Sequence, residues 1–212
     1  MNNPFSPEQL KHVEESTVGH YNDNAESFRE GTKDYDVSQN YNALLSQFEP
    51  DVSLDFLDFG CGPGRDVGYF KSLGHRPVGL DGNEAFCKMA EQYTGCEILC
   101  QNFLKLELPT AAFDAVFANA SLFHVPRQEL PLVLLKLHAC LRPGGILFSS
   151  NPRGNSEVWS GARYGNYLEF DEASATLKAA HFKILSHYYR PEGMPREQQP
   201  WLAIVCKALL SV

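Results

Sequence analysis

A glycine-punctuated junction between a strand and a helix constrains this chain more than any other feature. Residues 54–59 are apolar except for Asp55 and Asp58, which is the length and composition of a buried parallel strand. The strand runs into Gly60-Cys61-Gly62-Pro63-Gly64, with glycine at alternate positions, and a helical pattern begins at about Arg65. Glycine has no Cβ and tolerates positive φ, so such a turn lets a ligand approach the backbone itself. The helix start adds unpaired N–H groups and a partial positive charge. The junction reads as a cofactor loop. No Gly-Lys-Ser/Thr follows, which excludes a Walker-type nucleotide loop. The dinucleotide fingerprint needs glycine at the first, third and sixth positions of the turn, and here the sixth is Arg65.

A chain of 212 residues suffices for one α/β domain with a full core. Lys and Arg number 18 against 26 Asp and Glu, a formal net charge of −8 with no basic cluster. Nucleic acid is therefore not expected as a partner, because phosphate contacts dominate such affinity. No apolar stretch approaches the ~18 residues of a membrane span, and Met1-Asn2-Asn3-Pro4 lacks the charged-then-apolar pattern of a secretory leader. The six cysteines, at 61, 87, 96, 100, 140 and 206, form no C-x-x-C, so neither a metal site nor a redox dithiol is expected. These readings describe a cytoplasmic protein with reduced thiols, acting as monomer or homodimer away from membranes.

Residues 1–50 read as polar helices, the first starting at Ser6-Pro7-Glu8, the second spanning residues 21–28 and the third 38–48. The apolar period is weak in the first of them, which suits a lid better than a core element. From residue 54 onward strand and helix patterns alternate, which argues for a parallel sheet covered on both faces. Strands are expected at 77–80, 97–101, 113–119 and 146–150, and a closing hairpin from 182–189 and 201–207. Helices are expected from Arg65 to a stop at Gly74, then over 83–93, 128–141 and 171–180, with a tight turn at Arg142-Pro143-Gly144-Gly145. No linker, repeat or low-complexity tract divides the chain, so 1–212 is expected to be a single domain. Its parts are a lid (1–50), a cofactor-binding half (51–150) and a substrate-side half (151–212). Asp81, at the end of the second strand and about 20 residues past the glycine turn, stands where a ribose diol is held.

Three landmarks occur in order around Asp81: Asp58 ahead of G-x-G-x-G, the segment 113–125 ending Leu122-Phe123-His124-Val125, and Leu141-Arg142-Pro143-Gly144-Gly145 before an apolar strand. Together they resemble the class I S-adenosylmethionine-dependent methyltransferases over residues 40–150, and loosely the small-molecule enzymes of the tellurite-resistance type. The resemblance implies a Rossmann-like α/β fold, a seven-stranded and mostly parallel sheet in the order 3-2-1-4-5-7-6, helices on both faces, and an N-terminal helical lid. It implies S-adenosylmethionine as cofactor and S-adenosylhomocysteine as product. Asp58, Gly60, Cys61, Gly62 and Gly64 would hold the methionine part, Asp81 and Gly82 the ribose, and Asn102 and Phe103 the adenine. Asn119 would lie near the methyl group. The family usually has an acid where this chain has Asn102, whose side-chain carbonyl can still accept a hydrogen bond. Tyr21 would reach the cofactor from the lid, and Tyr21 and His124 are the candidates for base or for positioning the acceptor.

Residues 151–170 are glycine-rich, aromatic and basic, and the connection at 190–200 again carries arginine. Both read as loops at the carboxyl edge of the sheet, where ligands of open α/β sheets sit. Arg153, Arg163, Tyr164, Tyr167, Arg190, Arg196 and Trp201 are the expected substrate residues. They suit a small anionic acceptor, carboxylate-bearing for preference, since the guanidinium fork matches a carboxylate. Each also has a plainer reading: His124 as a packing residue, Tyr21 as part of the helix core, each arginine paired with a surface acid. The rival functions are an NAD-dependent oxidoreductase and a non-enzymatic cofactor-binding protein. Arg65 at the sixth position and the absence of a separate catalytic domain disfavour the first. A full set of cofactor positions disfavours the second.

Overall fold

The computed structural model describes residues 4–210, so the reading of residues 1–3 lies outside it. Helix α1 (Pro7–Asp23) opens with a capping box, the Gln9 N–H donating to Ser6 Oγ (3.3 Å) and the Ser6 N–H to Gln9 Oε1 (2.8 Å). It runs through Tyr21, so the second helix does not span 21–28 as expected. The chain breaks at Asn24, whose amide donates to the His20 carbonyl (2.8 Å), and resumes as α2 (Ala25–Thr32), followed by α3 (Ser38–Leu45).

Strands β1 (Asp55–Phe59), β2 (Arg76–Asp81), β3 (Ile98–Cys100), β4 (Phe113–Asn119) and β5 (Leu141–Pro152) are parallel. They alternate with helices α4 (Arg65–Ser72), α5 (Glu84–Thr94) and α6 (Leu130–Cys140). Residues 142–145 are the irregular first part of β5 rather than a free turn: the register slips between Phe113 and Ala115, and Gly144 takes φ +79°. A hairpin follows, β6 (Ser156–Ser160) against β7 (Arg163–Tyr167), and then α7 (Phe170–Ala179), β8 (Phe182–Arg190) and β9 (Trp201–Ala208). The large sheet has the order β3-β2-β1-β4-β5-β9-β8, with β9 antiparallel to both neighbours. This is the expected seven-strand order once the strands of the inserted hairpin are counted. The hairpin itself corrects the reading of 151–170 as loop. Its turn is Gly161-Ala162, with Gly161 at φ +61°, the left-handed conformation that a two-residue hairpin needs.

Side chains alternate across the sheet and fill two cores. On one face Leu57, Phe59, Val116 and Leu147 pack with Val133, Leu134 and Leu137 of α6. On the other, Phe56, Phe117 and Phe148 pack with Tyr41 and Leu44 of α3 and Phe70 of α4. No described helix is long and apolar enough to cross a membrane, and no described group of His, Cys, Asp and Glu is arranged to hold a metal ion. All parallel strands point their carboxyl ends to one edge, where β1 and β4 diverge to opposite sides of the chain path. A crevice at this switch point is the expected ligand position in such a fold.

Candidate functional site

The three glycines after β1 are there for different reasons. A Cβ on Gly60 would collide with Ser121 Cβ, and one on Gly64 would lie 2.9 Å from Ala90 Cα on α5. Those two let the turn nest between β4 and α5. Gly62, at φ +52°, meets only the Phe28 ring at 3.7 Å and faces open space. The turn is held by the Gly60 and Cys61 N–H groups, both donating to the Leu80 carbonyl (2.7 and 3.0 Å), and by the Gly62 N–H on Asp81 Oδ2 (2.9 Å). Asp81 Oδ1 accepts the Asn83 N–H (2.9 Å). Burial raises the Asp81 pKa to about 6 despite these backbone bonds.

Above this edge lies a cavity of about 620 Å³. Its floor is Gly60, Cys61, Gly62, Asp81 and Gly82; beyond them lie Asn102, Phe103 and Leu104, and α1 and α2 form the roof. Phe103 packs tilted against Phe59 (4.3 Å between centroids), and Asn102 Oδ1 accepts the Leu104 N–H (2.7 Å), fixing the amide. Asn119 and Ala120 enter from the end of β4. Ala120 is held at φ +60° by its N–H bond to the Ser150 carbonyl (2.7 Å). That is an unfavoured conformation for a residue with a Cβ, at a point lining the cavity.

At one end of the cavity Tyr21 and His124 meet, Tyr21 Oη lying 3.0 Å from His124 Nε2. The other ring nitrogen, Nδ1, is 2.8 Å from the Tyr164 carbonyl, which can only accept. Nδ1 therefore carries the hydrogen and Nε2 accepts from the tyrosine. Burial lowers the His124 pKa to about 4, so the ring is neutral at ordinary pH. Burial likewise raises the Tyr21 pKa, with Arg163 opposing it. Arg163 lies at 6.0 Å from the Tyr21 ring centroid.

Not every expected residue reaches the cavity. Asp58 is 1% exposed, lies behind the turn, and its Oδ2 has no hydrogen-bond partner. Gly64 caps α4 beneath the floor. Arg163, Arg190 and Trp201 line the cavity, whereas Arg153, Tyr164, Tyr167 and Arg196 do not. Arg153 instead pairs with Glu169 (2.9 Å) and donates to the carbonyls of Gln199 and Arg196. Arg196 lies over the Tyr189 ring. The Tyr164 hydroxyl turns away to Glu157, and the Tyr167 carbonyl accepts from Arg127 (3.2 Å). In a hairpin, neighbours along a strand face opposite sides, so Arg163 can face the cavity only if Tyr164 does not.

Arg65 and Asp66 were not among the expected site residues, although both line the cavity. Arg65 forks onto Asp66 (2.7 and 2.9 Å) and donates to the Thr32 carbonyl at the end of α2 (3.0 Å). Asp66 also accepts from Tyr41 (2.5 Å), and the Asn40 amide donates to Asn119 (2.9 Å). This buried network ties α2 and α3 to the glycine turn. An acid in the first turn of α4 was visible in the sequence, but its partners come from residues too far away to be read there.

Fold and cavity define a doubly wound α/β protein with its crevice at the topological switch point. Residues 57–149 match the family model of a methyltransferase domain, and the relatives and solved structures that the chain resembles include S-adenosylmethionine-dependent methyltransferases. A trans-aconitate 2-methyltransferase of Azoarcus sp. is 32% identical over 116 residues, 54% of this chain and 45% of that protein. A ubiquinone biosynthesis O-methyltransferase of Parvibaculum lavamentivorans is 26% identical over 203 residues, 93% of this chain and 63% of that protein. The chain thus spans between 45% and 63% of the length of these relatives. Among solved structures, the Burkholderia thailandensis 1,6-didemethyltoxoflavin-N1-methyltransferase, with bound 1,6-didemethyltoxoflavin and S-adenosylhomocysteine, superposes with a TM-score of 0.79. The match covers 99% of this chain and 94% of that one at 21% identity, a likeness of fold.

Proposed function

We propose that this chain transfers the methyl group of S-adenosylmethionine to a small-molecule acceptor by in-line displacement. One observation carries the reading: Gly62, lining the cavity at φ +52° with its backbone uncovered by any side chain of its own, sits beside a buried Asp81 carboxylate. That pair fits an adenosine cofactor, because the carboxylate keeps lone pairs for a ribose diol after accepting its two backbone N–H bonds. The sulfonium of the bound cofactor supplies the reactive methyl group. The protein's own work is then orientation and exclusion of water.

Gly60, Cys61 and Gly62 would hold the methionine part, Asp81 and Gly82 the ribose, and Asn102 and Phe103 the base. Asn119 would lie beside the methyl group. Asp58 and Gly64 would act from behind, by supporting the turn. Tyr21 and His124, joined by one hydrogen bond, would orient the acceptor or take its proton, and Arg163, Arg190 and Trp201 would line its berth. We further propose a single-domain cytoplasmic enzyme, monomeric or homodimeric, with residues 1–50 as its lid and no nucleic-acid partner. Six free thiols and a net charge of −8 support that setting.

The test is calorimetry and thermal shift with S-adenosylmethionine, S-adenosylhomocysteine and NADH, on wild type and Asp81→Ala. A ligand at roughly 100 times its Kd should add about 2.7 kcal/mol of stability. Both sulfur compounds should bind, and Asp81→Ala should abolish it. Binding of NADH alone would replace the reading with the oxidoreductase one.

A further inference from the structure

Three guanidinium groups reach the cavity, and they differ in what already holds them. Arg65 is forked onto Asp66, and Arg190 donates to the Asp36 carbonyl (3.2 Å). Arg163 takes part in no ion pair among the described residues, and its Nε is shut off from water without a hydrogen-bond partner. An arginine that lines the cavity with no carboxylate beside it offers its charge to whatever anion enters.

The position of Arg163 is fixed from both sides. The next residue, Tyr164, donates its N–H to Thr17 Oγ1 (3.1 Å) on α1 and receives His124 Nδ1 on its carbonyl (2.8 Å). The β6–β7 hairpin therefore delivers the guanidinium to the place where Tyr21 and His124 meet. Those two neighbours are neutral, so the berth holds one positive charge. Asp66 and Asp81 line the same cavity, and their charges oppose a polyanion. A single fork beside neutral aromatic groups supplies one positive charge, which balances a monoanionic carboxylate better than a dianionic phosphate.

We propose that Arg163 receives a carboxylate, presented by the acceptor, at the Tyr21–His124 end of the cavity. This rests on the methyl-transfer reading for the identity of the acceptor as substrate. The same chemistry could also be supplied by the amino-acid carboxylate of the cofactor, and the experiment separates the two sources.

Wild type, Arg163→Gln and Arg163→Lys are titrated by calorimetry with S-adenosylhomocysteine and with 5′-methylthioadenosine, which lacks the amino-acid part. Benzoate and benzamide are then titrated onto each protein, with and without saturating S-adenosylhomocysteine, and melting curves confirm that each variant is folded. The expected result is that Arg163→Gln weakens benzoate at least tenfold and leaves benzamide, 5′-methylthioadenosine and S-adenosylhomocysteine within twofold. Arg163→Lys, which keeps the charge and loses the fork, should fall between. A tenfold loss confined to S-adenosylhomocysteine would assign the carboxylate to the cofactor instead. Equal losses for benzoate and benzamide, or no loss anywhere, would overturn the proposal. If S-adenosylhomocysteine does not bind wild type, the cofactor reading has failed, and the benzoate arm without it still decides whether Arg163 is a carboxylate seat.

Discussion

Affinity for the cofactor should depend on pH through one buried group. Asp81 is 9% exposed, accepts the Gly62 and Asn83 N–H groups, and has its pKa raised to about 6 by burial. If its ionised form holds a ribose diol, protonation removes the charged acceptor from both hydroxyl donors. The apparent Kd then grows as one plus the ratio of proton concentration to the acid constant, about 1.1 at pH 7 and about 11 at pH 5. The loss of affinity is therefore about tenfold, or roughly 1.4 kcal/mol. Calorimetry with S-adenosylhomocysteine at both pH values, in buffers of different ionisation enthalpy, should show about 0.1 proton released on binding at pH 7 and most of one at pH 5. Asp81→Asn should bind more weakly and lose the pH dependence. Another acid near the turn is Asp58, whose pKa is also raised by burial and the neighbouring Asp66, so Asp58→Asn is run in parallel. His124, with its pKa near 4, stays neutral through this window. An unchanged Kd at pH 5, or a slope that survives Asp81→Asn, would refute the role given to this carboxylate.

Further outcomes concern stability. Gly64→Ala and Gly74→Ala place a Cβ at φ +93° and +84°, but only the first meets backbone within 2.9 Å; urea unfolding should show about 1 kcal/mol lost at Gly74 and clearly more at Gly64. Tyr41→Phe removes the 2.5 Å bond to Asp66 and should cost about 1–3 kcal/mol with the m-value unchanged. His124 has its pKa lowered from 6.5 to about 4. The folded state thus binds fewer protons than the unfolded chain, and stability should fall by about 3 kcal/mol as pH drops from roughly 6.5 to 4. Asp81 has its pKa raised from 3.8 to about 6, so its contribution runs the other way, falling as pH rises through that window. In wild type the two slopes largely cancel. Urea titrations across pH should separate them as differences from wild type, Asp81→Asn removing the aspartate contribution and His124→Gln the histidine contribution.

What the chain shows in one dimension is governed by local rules, and those parts agree with the fold. The apolar run before Gly60, the alternation of strand and helix, and the spacing from the turn to Asp81 are short-range consequences of backbone geometry, and the sheet order follows the family pattern they carry. The hairpin was hidden because its strands are five residues each, carry no clean apolar–polar alternation and stand among Gly154, Gly161 and Gly165, so the segment read as loop. The arginines show the same limit more sharply. Arg153, Arg163, Arg190 and Arg196 share a composition and a neighbourhood, and nothing local tells them apart. Arg153 is taken by Glu169 and Arg196 lies on Tyr189, both settled by the pairing of β9 with β5 on one side and β8 on the other. Arg163 reaches the cavity because the hairpin's strand parity turns Tyr164 the other way, toward Glu157. A one-residue slip in that hairpin would bury the guanidinium's position under a tyrosine and carry off the carbonyl that sets the His124 tautomer. The register of β6 on β7, more than the identity of any one residue, is what brings a cation, a neutral imidazole and a tyrosine together at one end of the cofactor crevice.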